Sequence, residues 1–233
     1  MNAATTPPDD AEPSTSVVLM WSGGKDALLA LGALTEAPSY TVEALLTTVV
    51  EDEETVTMHG TPLALIRRQA EALDYPLQVM RVPPSPRNPT YEAALERALD
   101  PLRTAGAEAV AAGDLYLDDV RTYRESVFRQ LGMDAVFPLW GDPPARLADR
   151  FVTQGYRAVV TSVDTTQLEA GFAGRTYDEA FLADVPGDID PCGEKGAFHT
   201  FVTDGPRFRE AVPVTVGRRT TDGRMAYAQL QPA

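Results

Sequence analysis

Five consecutive residues, the Ser-Gly-Gly-Lys-Asp of positions 22–26, have the types and order expected of a phosphate-binding loop. An apolar run precedes them and an Ala/Leu-rich segment follows, which predicts a strand, a turn and a helix. Gly23 and Gly24 let the chain turn sharply and let a ligand approach the backbone closely. The free N–H groups of the first helical turn favour an anion such as phosphate or pyrophosphate. An ordinary Gly-Gly turn is the alternative.

The polar side chains of this segment suit a nucleotide. Lys25 adds a positive charge, Ser22 stands beside the glycines, and the carboxylate of Asp26 is a candidate magnesium ligand. The spacing is not that of a Walker A loop, G-x-x-x-x-G-K-S/T, nor of the G-x-G-x-x-G dinucleotide fingerprint. We therefore expect a phosphate loop of a different class.

A second segment, 190–206, reads DPCGEKGAFHTFVTDGP. Its first residues have neither a helical nor a strand period, which predicts a loop that leads into a strand. Glu194 is the first candidate for handling a substrate or an ammonium group, His199 for a base or an orienting group, and Thr200 for a hydrogen bond to substrate. A hydrogen-bonded strand histidine and a solvated Lys195 are the plainer alternatives.

Asp114 follows Gly113 at the end of a predicted strand, at the carboxyl edge where parallel sheets bind ligands. We expect its carboxylate to contact magnesium or the substrate, or else to cap the helix that follows. Asp114 therefore joins Lys25, Glu194 and His199 as a catalytic candidate.

The elements that would position these residues alternate between strand and helix. Apolar, β-branched runs predict five strands, at 17–21, 40–50, 76–82, 107–115 and 133–140. Helical periodicity predicts the intervening helices, at 25–36, 61–75, 89–106 and 117–132. Units of this kind build a parallel sheet covered by helices on both faces, an α/β fold of the Rossmann type.

Beyond residue 138 the alternation becomes less regular. The patterns there predict a helix at 143–154 and strands at 157–163, 198–203, 211–217 and 224–230. We therefore expect a smaller α+β domain at 138–233, after a nucleotide-binding domain at 16–137. The Pro-, Thr-, Ser- and Asp-rich residues 1–15 have the composition of a disordered tail.

The amino-acid composition limits the classes of partner that this protein can have. The chain has 233 residues, 44% of them hydrophobic, and a formal net charge of −14. No basic run exceeds two arginines, which argues against a nucleic-acid partner. No apolar run reaches the roughly 18 residues of a membrane span, and the first residues lack a secretory pattern. We therefore expect a cytoplasmic protein without a membrane partner. A single cysteine, Cys192, excludes an internal disulfide framework.

Several of these segments resemble a known family. "SGGKD" is similar to the pyrophosphate loop of the N-type ATP pyrophosphatases, Ser-Gly-Gly-x-Asp-Ser, except that Ala27 replaces the last serine. In order along the chain, "TMHGTPLALIRRQAEALDYPL", "GDLYLDDVRTYRE", "FPLWGDPPARLADRFVTQGYRAVVTSVDT" and "PCGEKGAFHTFVTDGPRF" resemble the diphthine–ammonia ligase family. The resemblance covers about residues 16–210, and "GEKGAFHTFVTDGP" is its most specific part.

The resemblance implies an adenine nucleotide alpha hydrolase-like N-terminal domain that binds ATP and Mg²⁺. Relatives of this class contact adenine through backbone groups after the second strand, where Thr47 and Thr48 are the candidates. His59 would close the same pocket or cap the next turn. Arg175 would face the phosphates, or else form a salt bridge with Asp178 or Glu179.

The same resemblance implies an ATP-dependent ligase that adenylates a carboxylate and amidates it with ammonia, releasing AMP and pyrophosphate. Tyr123 and Arg124 would line the substrate pocket. Diphthine is one substrate of the family, and here the acceptor, small-molecule or protein-borne, stays open, as does assembly into a homo-oligomer. An ATP-binding regulatory protein without turnover is the alternative that Ala27 favours, because a phosphate-binding hydroxyl is lost. Another PP-loop adenylating enzyme, such as a tRNA-modifying one, is opposed by the acidic charge and the single cysteine.

Overall fold

The computed structural model describes residues 14–233. The predicted disordered tail, 1–15, lies outside the described residues except for Ser14 and Thr15, and Thr15 already begins the first strand. The first part of the chain has the order β1 (Thr15–Met20), α1 (Lys25–Glu36), β2 (Tyr40–Val50), β3 (Thr55–Val56), α2 (Leu63–Leu73), β4 (Leu77–Val82), α3 (Asn88–Thr104), β5 (Ala109–Ala111), α4 (Asp118–Gln130) and β6 (Asp134–Val136).

Five parallel strands form the first sheet, in the spatial order β4-β2-β1-β5-β6. Strand β1 lies in the middle, and its residues alternate between two hydrophobic cores. Val17 and Leu19 pack with α1 and α2, whereas Val18 packs with α3 and α4 on the other face. All three are fully buried, which is why the strand is apolar from Val17 to Met20 rather than alternating. The predicted α/β fold with a Rossmann-like parallel sheet is confirmed.

The second part of the chain builds a separate sheet. Its elements are α5 (Pro144–Thr153), β7 (Arg157–Asp164), α6 (Glu179–Asp184), β8 (Phe198–Asp204), β9 (Val214–Asp222) and β10 (Met225–Pro232). The four strands are antiparallel, in the order β8-β7-β10-β9. Phe198, Phe201 and Val202 of β8 belong to the same hydrophobic core as α1 and α2. The second sheet therefore packs against these helices, close to the segment that joins β1 to α1.

The structure differs from the predicted elements in places. The short strand β3 and the helix α6 were not predicted, and the predicted strand 107–115 is reduced to β5. Strand β5 ends early because the residues after Ala111 turn away from the sheet to line the cavity described below. Strand β9 runs on to Asp222 because it pairs with β10 along its length. The domain boundary at 137/138 stays a prediction. Among residues 14–233, no helix is both long and apolar enough to cross a membrane.

Candidate functional site

A cavity of about 600 Å³ opens at the carboxyl ends of β1 and β5, beside the second sheet. Strands β1 and β5 are neighbours in the sheet. The chain leaves β1 toward β2, on one side of β1, and returns later to form β5 on the opposite side. Such a reversal of strand order leaves a crevice between the two neighbouring strands. Its volume is in the range of small-molecule sites. The predicted residues that line it are Ser22, Gly24, Lys25, Asp26, Thr48, His59, Asp114, Arg124, Glu194, His199 and Thr200.

Two glycines shape the loop at the start of α1. Gly23 has a φ of 78°, and a Cβ atom there would lie 2.6 Å from Cδ1 of Ile66. A Cβ on Gly24 would lie 3.2 Å from both the Oγ of Ser22 and the carbonyl oxygen of Thr200. Gly24 is also the N-cap residue of α1, and it has no side chain with which to cap the helix. The start of α1 therefore lacks an N-cap side chain, which suits an anion bound from the cavity.

The second sheet holds this loop in place. The backbone N–H of Lys25 donates to Oγ1 of Thr200 over 3.1 Å, and the backbone N–H of Val202 donates to the carbonyl oxygen of Gly23 over 2.9 Å. Thr200 is therefore buried in a structural contact as well as facing the cavity. The segment 22–26, called the phosphate loop below after its predicted role, is thus held by both parts of the chain.

Lys25 lies in a more enclosed position than its sequence context predicts. Its side chain is 2% exposed, and Nζ lies 2.8 Å from Oδ2 of Asp26 and donates to the carbonyl oxygen of Cys192. Nζ also lies 5.7 Å and 5.4 Å from the ring centres of Tyr177 and Phe198. Burial alone would lower the pKa of Lys25, but Asp26 and the other acidic groups nearby outweigh it and raise that pKa. The charged ammonium therefore ties the phosphate loop to the loop around Cys192.

Asp26 retains one carboxylate oxygen for a ligand. Its Oδ2 contacts Lys25, while its Oδ1 is buried and finds no hydrogen-bond partner within residues 14–233. Mg²⁺ is commonly held by one or two carboxylates together with substrate phosphates and waters, so Asp26 fits this role. In the described part of the chain, no group of three or more His, Cys, Asp or Glu side chains could hold a metal ion. Magnesium bound here would depend on the phosphates of a nucleotide.

Glu194 is a carboxyl group with a perturbed pKa in the cavity wall. Its Oε1 accepts a hydrogen bond from the backbone N–H of Leu115 over 2.8 Å. Burial, with smaller contributions from the carboxylates of Asp26 and Asp114, raises the pKa of Glu194 to about 7, against the opposing effect of the Leu115 hydrogen bond. A group with this pKa can both accept and release a proton near neutral pH.

The loop that carries Glu194 is held by a set of hydrogen bonds. Asp190 accepts from the hydroxyl of Tyr116 and, through Oδ1, from the backbone N–H of Cys192 over 2.7 Å. The hydroxyl of Tyr177 donates to the carbonyl oxygen of Pro191 over 2.8 Å. Burial raises the pKa of the Cys192 thiol to about 12, so this thiol is not a nucleophile at neutral pH. Asp190 and Cys192 thus shape the loop rather than react.

The chain's two histidines meet in the cavity. The rings of His59 and His199 lie 4.4 Å apart between centres, tilted by 35°. Burial, with the nearby charge of Lys25, lowers the pKa of His199 to about 4, and burial with the neighbouring His199 lowers the pKa of His59 well below its usual value. Nδ1 of His59 and Nε2 of His199 are buried and have no hydrogen-bond partner among the described residues. Both rings are neutral near pH 7 and can hydrogen-bond a ligand.

Asp114 and Arg124 form an ion pair across the cavity wall. Nε of Arg124 lies 2.7 Å from Oδ2 of Asp114, and both side chains are mostly buried. Gly113, just before, lets β5 approach the start of α1: a Cβ there would lie 2.9 Å from the carbonyl oxygen of Asp26. Sequence analysis selected Asp114 and Arg124 but assigned no role to Gly113.

Four predicted site residues do not line the cavity: Gly23, whose carbonyl oxygen accepts from Val202 of β8, and Thr47, Tyr123 and Arg175. Thr47 is fully buried within the sheet and only its neighbour Thr48 faces the cavity, because successive strand residues point to opposite faces. The hydroxyl of Tyr123 donates to Oε1 of Glu92 over 3.2 Å, outside the cavity wall. Arg175 pairs with Asp184 at 2.7 Å and does not line the cavity, so the salt-bridge alternative was the better prediction, with a different partner.

One residue that sequence analysis missed is Gln69, which is completely buried on α2 and contacts the phosphate loop. The available signal was its spacing. Gln69 falls three and four positions after Ile66 and Leu65, on the apolar face of an amphipathic helix where a polar side chain needs hydrogen-bond partners.

Comparisons with known proteins give consistent matches. The family model of the diphthamide synthase N-terminal domain matches residues 15–135, and that of the diphthamide synthase C-terminal domain matches residues 143–233. A diphthine–ammonia ligase of Schizosaccharomyces pombe is 28% identical over 112 residues, which are 46% of this chain and 18% of that protein. The chain therefore matches only a minor part of that relative's length.

Among solved structures, the U34-tRNA thiolase NcsA of Methanococcus maripaludis is similar with a TM-score of 0.38 and 16% sequence identity. The similar region covers 60% of this chain and 58% of the thiolase chain.

Proposed function

The chain belongs to the diphthamide synthase family, and we propose that its cavity binds ATP and activates a carboxylate for amide formation with ammonia. The observation that carries the proposal is the meeting, in one cavity, of a helix start that lacks an N-cap side chain, behind two glycines, with the partly buried carboxyl group of Glu194. The first feature suits phosphates and the second suits proton transfer from an amine. The name of the S. pombe relative, a diphthine–ammonia ligase, supports this pairing.

In the proposed reaction, a carboxylate oxygen attacks the α-phosphorus of ATP and pyrophosphate leaves. Ammonia then attacks the acyl carbon, and AMP leaves with the oxygen that came from the carboxylate. The free N–H groups at the start of α1 hold the phosphates, and Asp26 would hold a magnesium ion, whose charge would offset that of the pyrophosphate. Glu194, as a carboxylate, accepts the proton that the attacking nitrogen loses.

The remaining cavity residues bind and orient the two substrates. Arg124, held by Asp114, supplies a positive charge for the carboxylate. The neutral rings of His59 and His199 offer their two free nitrogens as hydrogen-bond partners for the nucleotide or the amine. The acceptor is a small-molecule or protein-borne carboxylate, and the family name makes diphthine the first to test.

The test is product analysis after incubation of the purified protein with labelled ATP, Mg²⁺, ammonium and a panel of carboxylates that includes diphthine-bearing protein. AMP and pyrophosphate formed only with one carboxylate would support the proposal and identify the acceptor class. ADP as the product would contradict it. The Glu194→Gln variant, which keeps the hydrogen-bond acceptor for Leu115, should bind ATP but form little AMP.

An ATP-binding protein without turnover is the second candidate, because Ala27 lines the cavity at the first turn of α1, where related loops carry a serine. Tight ATP binding with no products across the panel would favour this candidate. Restoration of AMP formation by Ala27→Ser would show that the missing hydroxyl is the reason.

A further inference from the structure

A buried glutamine outside the cavity lining contacts the phosphate loop. Gln69 lies on α2, has no exposed surface, and its amide makes three hydrogen bonds. Its Oε1 accepts from Nε1 of Trp21 over 2.8 Å, and its Nε2 donates to the carbonyl oxygens of Gly23 over 3.0 Å and Val202 over 2.7 Å. We propose that Gln69 is a positioning residue that holds the phosphate loop in its anion-binding conformation.

Two hydrogen bonds fix the direction of the Gly23 carbonyl group. The carbonyl oxygen accepts one of them from Nε2 of Gln69 and the other from the backbone N–H of Val202. In a trans peptide the carbonyl and the next N–H point in opposite directions within one plane. Anchoring the Gly23 carbonyl toward α2 and β8 therefore turns the N–H of Gly24 away from them. Within residues 14–233, that N–H has only a 3.3 Å contact, to Oγ of Ser22, and Gly24 lines the cavity.

The backbone at Gly23 needs such an anchor. Its φ of 78° is a conformation that most residues avoid, and glycine is the residue with the most conformational freedom to lose. Without Gln69, the peptide between Gly23 and Gly24 has one anchoring hydrogen bond, from Val202, instead of two. An amide that is fully buried is also costly unless all its groups are paired, so an apolar residue would be the simpler choice at this position of α2.

The Gln69 side chain also connects the two parts of the chain at this site. Because Gln69 bonds Gly23 and Val202 together, the phosphate loop is held between α2 of the first part and β8 of the second. The inference deepens the proposed function and rests on it in one respect, namely that the ligand of this loop is the phosphate chain of ATP. The anchoring itself is a property of the protein alone.

The test uses Gln69→Met, which keeps an unbranched side chain of similar length without donors, and Gln69→Leu as a second apolar variant. Gln130→Met on the exposed surface of α4 is the matched control. Hydrogen exchange is measured residue by residue without added nucleotide, and ATP affinity is measured by calorimetry with Mg²⁺. Unfolding in urea is followed for each variant.

We expect exchange of the amides from Gly23 to Lys25 and of Val202 to accelerate at least about 10-fold in Gln69→Met, with the β9–β10 pairs unchanged. We expect ATP to bind about 10-fold to 100-fold more weakly, as the loss of an aimed donor to a charged group predicts. If Gln69→Met bound ATP as tightly as the wild type, or if hydrogen exchange accelerated uniformly across the chain, the proposal would be overturned. If the wild type binds no ATP, the proposed function fails, while unchanged exchange at the loop would still overturn the anchoring by itself.

Discussion

The substitution Glu194→Gln is expected to act in opposite directions on stability and on turnover. Burial raises the pKa of Glu194 from 4.5 to about 7, so the folded protein keeps this proton over a pH range in which the unfolded chain has lost it. The folded state then binds more protons between these values, and the stability of the wild type falls as the pH rises from about 4.5 to about 7. Above about pH 7 this loss of stability no longer changes with pH.

The magnitude follows from the pKa shift. The difference between 4.5 and about 7 corresponds to an upper limit of about 3 kcal/mol, at 1.36 kcal/mol per pKa unit. Because the side chain is only partly buried and solvent screens its charge, we expect about 1 to 2 kcal/mol. The amide that replaces the carboxyl group in Glu194→Gln cannot ionise and still accepts from the backbone N–H of Leu115, so this variant does not lose stability as the pH rises from about 4.5 to about 7. The same substitution removes the base, for which a rate loss of about 10² to 10⁴ is typical.

The assay is urea unfolding of the wild type and of Glu194→Gln at pH 5 and at pH 8. The free energy of unfolding of the variant relative to the wild type should increase by about 1 to 2 kcal/mol between the two pH values. Glu96→Gln, at an exposed site on α3, controls for the loss of one negative charge and should show no such change. A difference between Glu194→Gln and the wild type that does not depend on pH would refute the reasoning.

Other substitutions test single features of the site. Lys25→Met should lower the free energy of unfolding by about 3 to 5 kcal/mol, because it leaves buried polar groups unpaired. The control Lys195→Met, at an exposed position, should change it by less than about 0.5 kcal/mol. Equal losses for the two variants in urea titrations would contradict this account of Lys25. Gly113→Ala places a Cβ 2.9 Å from a carbonyl oxygen at the start of α1. It should cost about 1 to 3 kcal/mol and weaken ATP binding in calorimetry, unlike Gly171→Ala, where nothing lies within 4 Å of the added atom. Ala27→Ser should strengthen ATP binding about 10-fold, as one hydrogen bond to a charged group predicts, and an unchanged dissociation constant would speak against a phosphate at this turn.

The sheet and the loop were predictable because their signals are local. From Val17 onward strand β1 is apolar because both of its faces are covered, and α1 begins where the sequence places Lys25 after two glycines. Glycine spacing and the position of a strand end then locate the cavity and the candidate anion site within it. The site residues Asp114 and Glu194 were found in the same way, by their place after a strand and in a glycine-rich loop.

The features of the site that the sequence did not reveal depend on tertiary contacts. A two-residue period cannot tell which of Thr47 and Thr48 faces the cavity until the sheet is paired and covered. The direction of the Lys25 side chain depends on the carbonyl of Cys192, a contact between residues far apart in the chain. Gln69 was a polar residue on an apolar helix face, but its partners come from two other elements that only the folded chain brings together.

The central claim is that the cavity supports transfer of a carboxylate oxygen to the α-phosphorus of ATP. The most direct measurement supplies the accepted carboxylate with both oxygens labelled as ¹⁸O, together with ATP, Mg²⁺ and ammonium, and determines the label in the products by mass spectrometry. The account predicts one ¹⁸O in AMP and one in the amide. AMP without label would contradict it, because the phosphorus would then have been attacked by water rather than by the carboxylate.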